Sequence, residues 1–140
     1  MSGIVVGIDG SPAAEAALAF AFEEAKLRSE SLRIVSAWEI PAIEYAGAAY
    51  VPSPDLAESA EHAADELLAQ AAATLGSDPG IHIETASVHG HASTILVEQA
   101  KDATMLVVGA RGHGALASLV LGSVSKAVVH DCPVPLVIVP

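Results

Sequence analysis

Cations, aromatic side chains and cysteine are all scarce in this 140-residue chain, and each scarcity excludes something. Lysine and arginine number six against 17 aspartates and glutamates, for a net charge of −11. Gripping a nucleic-acid backbone needs clustered cations, so nucleic acid is not an expected partner. Cys132 is the single cysteine. It rules out an intrachain disulfide and fits a reducing, cytoplasmic setting. No uninterrupted apolar run reaches the ~18 residues that a spanning helix requires, so no membrane partner is expected. The opening MSGIVVGIDGS lacks the basic start and long apolar core of a secretory signal. Aromatics make up 4% of residues although hydrophobic residues make up 52%. The apolar content is therefore Ala, Val, Leu and Ile, which suits helices packed on a buried sheet.

What is present reads as one domain over residues 1–140, large enough to bury a core without a disulfide or metal staple. Ile4 to Ile8 is a short β-branched run, expected as a strand buried on both faces. Ser11 can cap the following helix and Pro12 can take its first position. Leu32 to Trp38 is a second strand. The connection Glu39 to Pro54 is long and unusually apolar, with Tyr45 and Tyr50. Such a loop is either functional or irregular packing at the domain edge. Ser53-Pro54 repeats the cap-then-proline pattern. The helix after it, to about Leu75, should bury a stripe of Leu56, Ala60, Ala63, Ala64, Leu67, Ala71 and Leu75. Glu58, Glu61, His62, Asp65 and Glu66 form its wet face. Ile81 to Val88 alternates like a half-buried strand near an edge. A short helix over Ser93–Lys101, a strand over Thr104–Val108, a helix over Ser123–His130 and a strand over Val134–Val139 complete the chain.

Strands alternating with helices predict an α/β fold: three layers, an open parallel five-stranded sheet and helices on both faces, Rossmann-like. Ligands of such sheets bind beyond the strands' carboxyl ends, where strand order reverses. Asp9 and Gly109 are both expected there, each directly after a strand. Charge favours an anion at this end of the chain. Residues 1–104 carry four basic and 16 acidic residues, whereas residues 105–140 carry Arg111 and Lys126 against Asp131. Gly109-Ala-Arg-Gly112-His-Gly114 follows a strand, and Gly122-Ser123-Val124-Ser125 opens a helix. Glycines there would allow positive φ and close approach to a ligand. Free N–H groups at a helix start form a natural phosphate site, and Ser123 and Ser125 would add hydroxyl donors. The segment is neither a Walker A loop, because Gly-Lys-Ser/Thr is absent, nor the dinucleotide G-x-G-x-x-G.

The spacing is G-x2-G-x9-G-[S/T], and with it the chain resembles the ATP-binding branch of the universal stress protein family. The resemblance runs through IVVGIDGSPAAEAAL, VHGHASTILVEQA and, nearly end to end, LVVGARGHGALASLVLGSVSKAVVHDCPVPLVIV. It implies an adenine nucleotide alpha hydrolase-like fold and an ATP site, with or without Mg2+. Asp9, beside Gly7 and Ile8, would contact the nucleoside, and the region of Ala37 would line the adenine. Gly109, Gly112 and Gly114 would border ribose and phosphates. Gly122, Ser123, Val124 and Ser125 would hold the phosphates. The resemblance also implies a homodimer through Val134–Val139. Ala92 stands where the family often has proline, a departure with no evident bearing on the nucleotide.

Plainer readings stand beside these. Asp9 could merely cap a turn, and the glycines could be structural. Arg111 could neighbour a phosphate or be a solvated cation, Lys126 could face either way, and His113 could touch ligand or fill a tolerant position. His89 and His91 read as a surface pair, because no further ligand joins them to hold zinc. Cys132 reads as a small buried residue. No catalytic relay is legible around Ser11, Ser123 or Ser125, so any ATP hydrolysis should be slow. Three functions follow in order. The first is an ATP-binding sensor or regulator of the stress response, whose nucleotide orders the Gly109–Gly122 loop and residues 39–54 for an unknown protein partner. The second is a nucleotide-independent dimeric interaction module. The third is a slow hydrolase.

Overall fold

The β-branched runs form strands because they fill a surface that is buried on both faces. In the computed structural model, which describes residues 3–40, 43–45, 48–50, 54–76, 80–111 and 122–140, five of them make one parallel sheet. These are β1 (Ile4–Gly7), β2 (Leu32–Trp38), β5 (Ile83–His89), β6 (Met105–Gly109) and β7 (Leu136–Val139). Their order is β5-β2-β1-β6-β7. The sequence-predicted α/β fold with a five-stranded parallel sheet is the fold observed. Its strands differ from the expected spans by one or two residues: Ile8 lies beyond β1, Gly109 inside β6, and Val134 outside β7.

Among the described residues four helices connect the strands: α1 (Pro12–Arg28), α2 (Pro54–Leu75), α3 (Ala92–Gln99) and α4 (Ser123–Asp131). The chain steps one way across the sheet from β1 to β2 to β5, then crosses back to β6 and β7. Right-handed crossovers therefore place α1 and α2 on one face and α3 and α4 on the other. Side-chain alternation agrees with this. Ile4, Val6, Ile34 and Val107 share a core with Ala17, Ala21 and Leu68. Val5, Val35, Leu106 and Val108 share the opposite core with Leu96 and Val128. At the β5 edge the side chains are half-buried, as the alternation of that segment predicts.

Two sequence expectations need correction. The long connection contains an antiparallel pair, β3 (Ile43–Tyr45) and β4 (Ala48–Tyr50), with Ile43 opposite Tyr50. Three-residue strands are too short to show a period. The stripe of α2 is also displaced. Leu56 is 40% exposed and Ala63 is exposed, whereas Leu68, absent from the expected stripe, is 3% exposed. Full burial on α2 begins at Ala64, whereas Ala57 and Ala60 in its earlier turns are only half-buried. Ser53, the expected cap of this helix, lies outside the described residues. Cys132 is half-buried, and its thiol faces the Val134 carbonyl at 3.2 Å.

Candidate functional site

Strand order reverses between β1 and β6, so no crossover covers the carboxyl ends of these two strands. A cavity of about 300 Å³ opens there. Gly7, Ile8 and Asp9 line it from the end of β1, and Val35 and Ala37 from β2. Val108, Gly109 and Arg111 line it from the end of β6, and Gly122, Ser123, Val124 and Ser125 from the start of α4. All the expected site residues within the described part of the chain thus converge on one cavity. Gly112 and Gly114, with His113, lie outside the described residues.

The turn from β1 into α1 is built by its own side chains. Gly10 has φ of +84°, a conformation that glycine adopts without strain. The Asp9 carboxylate accepts from the Ser11 N–H at 2.9 Å. Ser11 Oγ in turn accepts from Ala14 N at 3.2 Å and caps α1, as the Ser-Pro pair predicts. The Ser11 hydroxyl also donates to the Arg111 carbonyl at 3.4 Å, tying this turn to the end of β6. Asp9 therefore organises a turn and also lines the cavity. These two readings are compatible.

The start of α4 is joined to the end of β6 in the same way. Gly122 N donates to the Ala110 carbonyl at 2.7 Å. Ser125 Oγ lies 3.1 Å from the Ala110 carbonyl and 3.0 Å from the Gly122 carbonyl, and donates to this pair. Ser125 is 2% exposed. Its hydroxyl thus has a structural role in joining α4 to the end of β6. Ser123 is exposed at the cavity. The first bond within α4 is Lys126 N to the Gly122 carbonyl at 3.0 Å, so the N–H groups of residues 123–125 have no partner inside the helix. Lys126 itself is exposed.

Two of the glycines have structural roles of their own. Gly122 has φ of −66° and ψ of 166°, an extended cap, so positive φ is not its role. A Cβ on Gly109 would lie 2.8–2.9 Å from the backbone and Cβ of Ala13, so close packing by α1 already requires glycine there.

Sequence reasoning missed Val35, Val108, Ala92 and Leu96 in the cavity wall. Ala92 and Leu96 stand four apart on α3 and so share a face, which was the available clue. Ala92, set aside as a neutral departure, is part of the wall. The cavity consequently has two poles. Val35, Ala37, Leu96 and Val108 make an apolar end. The start of α4 makes the other end, where the N–H groups of residues 123–125 have no partner inside the helix and the helix dipole favours negative charge. Arg111 is the only cationic side chain lining it among the described residues, and Asp9 the only carboxylate. His89 and His91 stand apart from the cavity. The His89 ring lies 4.6 Å from the Trp38 ring, and His91 Nδ1 is 3.4 Å from the Glu39 carboxylate. Among the described residues no helix is long and apolar enough to cross a membrane.

Residues 1–140 match the Universal stress protein family. The chain belongs to this family. A universal stress protein of Mycobacterium tuberculosis is 34% identical over 136 residues, covering 96% of this chain and 44% of that protein. The chain spans about half the length of the curated relatives it matches. Among solved structures, the universal stress protein UspA from Lactobacillus plantarum has a TM-score of 0.84 at 21% identity, with 99% and 97% of the two chains covered. That likeness concerns the fold. A universal stress protein solved in complex with cAMP is 25% identical, with a TM-score of 0.68 over 99% of this chain and 97% of its own.

Proposed function

We propose that this chain binds an adenine nucleotide, ATP in particular, at the carboxyl ends of β1 and β6, and that occupancy of the site is what it reports to a protein partner. One observation carries the reading: the apolar pole and the N–H pole share a single cavity at the point where strand order reverses. A purine ring suits the pole of Val35, Ala37, Leu96 and Val108. A phosphate chain suits the pole made by Arg111 and by the N–H groups of residues 123–125, which have no partner inside α4. The family relative solved with cAMP supports the adenine nucleotide. Gly7, Ile8 and Asp9 would border the nucleoside, with Gly109 beside it. Gly112 and Gly114 belong to the same proposal by the spacing of the motif. Mg2+ typically binds through one or two carboxylates together with phosphate oxygens. Asp9, the one carboxylate lining the cavity among the described residues, would share it here.

The switch is one of differential binding: ATP acts only as far as it favours one surface at the strand ends over another. No histidine stands among the described lining residues to form a relay with Ser11, Ser123 or Ser125, so any hydrolysis would be slow. A cytoplasmic setting fits the single cysteine. A homodimer through the β7 edge, Val134–Val139, belongs to the proposal too. Among the described residues β7 pairs only with β6, which leaves its other edge available for a second copy. That edge also favours a second reading, in which the chain is an interaction module that needs no nucleotide.

Titration calorimetry separates the two readings. ATP should bind, Arg111→Ala should weaken ATP more than adenosine, and Gly122→Val should obstruct the phosphates. Absence of heat and of thermal stabilisation at millimolar ATP would leave the interaction module.

A further inference from the structure

The apolar pole ends at a contact between two residues whose sizes are matched. Gly7 closes β1, and Leu96 reaches it from α3. A Cβ placed on Gly7 would lie 2.7 Å from Leu96 Cδ2 and 2.8 Å from Cδ1. Leu96 therefore rests directly on the glycine, in space that any other residue at position 7 would occupy. Leu96 is 5% exposed. The core around it is already filled by residues such as Val5, Leu106 and Val128. Leu96 also faces the cavity, since both Gly7 and Leu96 line it.

We infer that Leu96, seated on Gly7, is a specificity-determining residue that sets the depth of the base end of the cavity and so selects purine over pyrimidine nucleotides. The inference rests on the nucleotide reading above and deepens it. The mechanism is steric. With glycine at position 7 the isobutyl group sinks to the strand and leaves depth for a two-ring base. A side chain at position 7 displaces the Leu96 methyl groups, and their shift toward the cavity shortens its base end. The smaller pyrimidine and the phosphates, held at the other pole by α4, do not need that depth.

The test measures ATP, CTP and inorganic triphosphate binding by calorimetry on the parent chain and on Gly7→Ala, Leu96→Ala and the double variant. Gly7→Ala should weaken ATP about tenfold or more, the usual scale for one misfitting carbon in an apolar pocket. CTP and triphosphate should change little. Adding Leu96→Ala to Gly7→Ala should restore most of the ATP affinity by vacating the contested space. Should Gly7→Ala fail to fold by circular dichroism, Leu96→Phe adds bulk from the opposite partner and should give the same selective loss of ATP. Equal losses of ATP and CTP would overturn the inference, as would no loss or a double variant no better than Gly7→Ala. In those cases ATP binding by the parent keeps the nucleotide reading intact. A parent chain that binds no ATP would overturn both.

Discussion

Gly109→Ala tests whether the glycine of the β6 end belongs to the helix above it or to a ligand. The new Cβ would meet Ala13 C at 2.8 Å and Ala13 Cβ and O at 2.9 Å. Carbon atoms pack best at about 3.5–4.0 Å, so a gap of roughly 0.7 Å must be made. No rotamer change can make it, because the atoms met are backbone and Cβ. The strand cannot retreat either: β6 is hydrogen-bonded to β1 on one side and β7 on the other. The first turn of α1 must move, and with it the Ser11 cap that bonds both Ala14 N and the Arg111 carbonyl. Overpacking of this kind costs about 1–3 kcal/mol, and strain on a cap adds up to about 1 kcal/mol. A loss of about 2–3 kcal/mol should lower the melting temperature by roughly 6–12 °C for a domain of this size. Urea unfolding without nucleotide is the appropriate assay, with a lower midpoint at unchanged slope as the expected result. A variant melting within about 1 °C of the parent would refute the packing argument and return Gly109 to a purely ligand-facing role.

Ser125→Ala removes the hydroxyl that joins the start of α4 to the Ala110 and Gly122 carbonyls; stability should fall by about 1 kcal/mol, and ATP affinity should fall severalfold while adenosine binding holds. Leu68→Ala, at a site 3% exposed, should cost about 2–5 kcal/mol in urea unfolding. Leu56→Ala, at a site 40% exposed, should stay within about 0.5 kcal/mol of the parent. Reversal of that order would mean that the buried face of α2 is wrongly assigned.

The strands were legible because each central one is a run of β-branched or aliphatic residues with a turn at its end, as in Ile4–Ile8 before Asp9-Gly10-Ser11. The start of α1 was legible because Ser-Pro states its own geometry. Leu68 was not, because a helix period read from the N-terminal end of α2 assumes that the whole helix is covered, and only the later turns are. Nor were β3 and β4, whose pairing depends on one partner finding the other. In the site, the polar and glycine-rich rim stood out by residue type. The wall did not, since Val35, Val108 and Leu96 look in sequence like any other core residue. Only the fold shows that they end at an opening.

The same limit applies to the glycines, and it changes how the motif is understood. Spacing treats Gly109 and Gly122 as equivalent, yet one is required by α1 and the other caps α4 in an extended conformation. Among the described glycines that line or flank the cavity, positive φ belongs to Gly10, beside Asp9. Each of these residues brings a helix start to the rim of one cavity, either by turning the chain, by admitting close packing or by capping. That convergence also resolves the apparent conflict of a chain with net charge −11 offering a place to an anion. On the proposed reading the attraction would come from backbone N–H groups at the start of α4, which contribute no formal charge and act within a turn or so of the helix end. The acidic residues of α2 lie on its solvent face, where salt screens them at ~10 Å and beyond. An anion in the cavity would therefore respond to the nearby N–H groups and Arg111 more strongly than to the net charge of the chain.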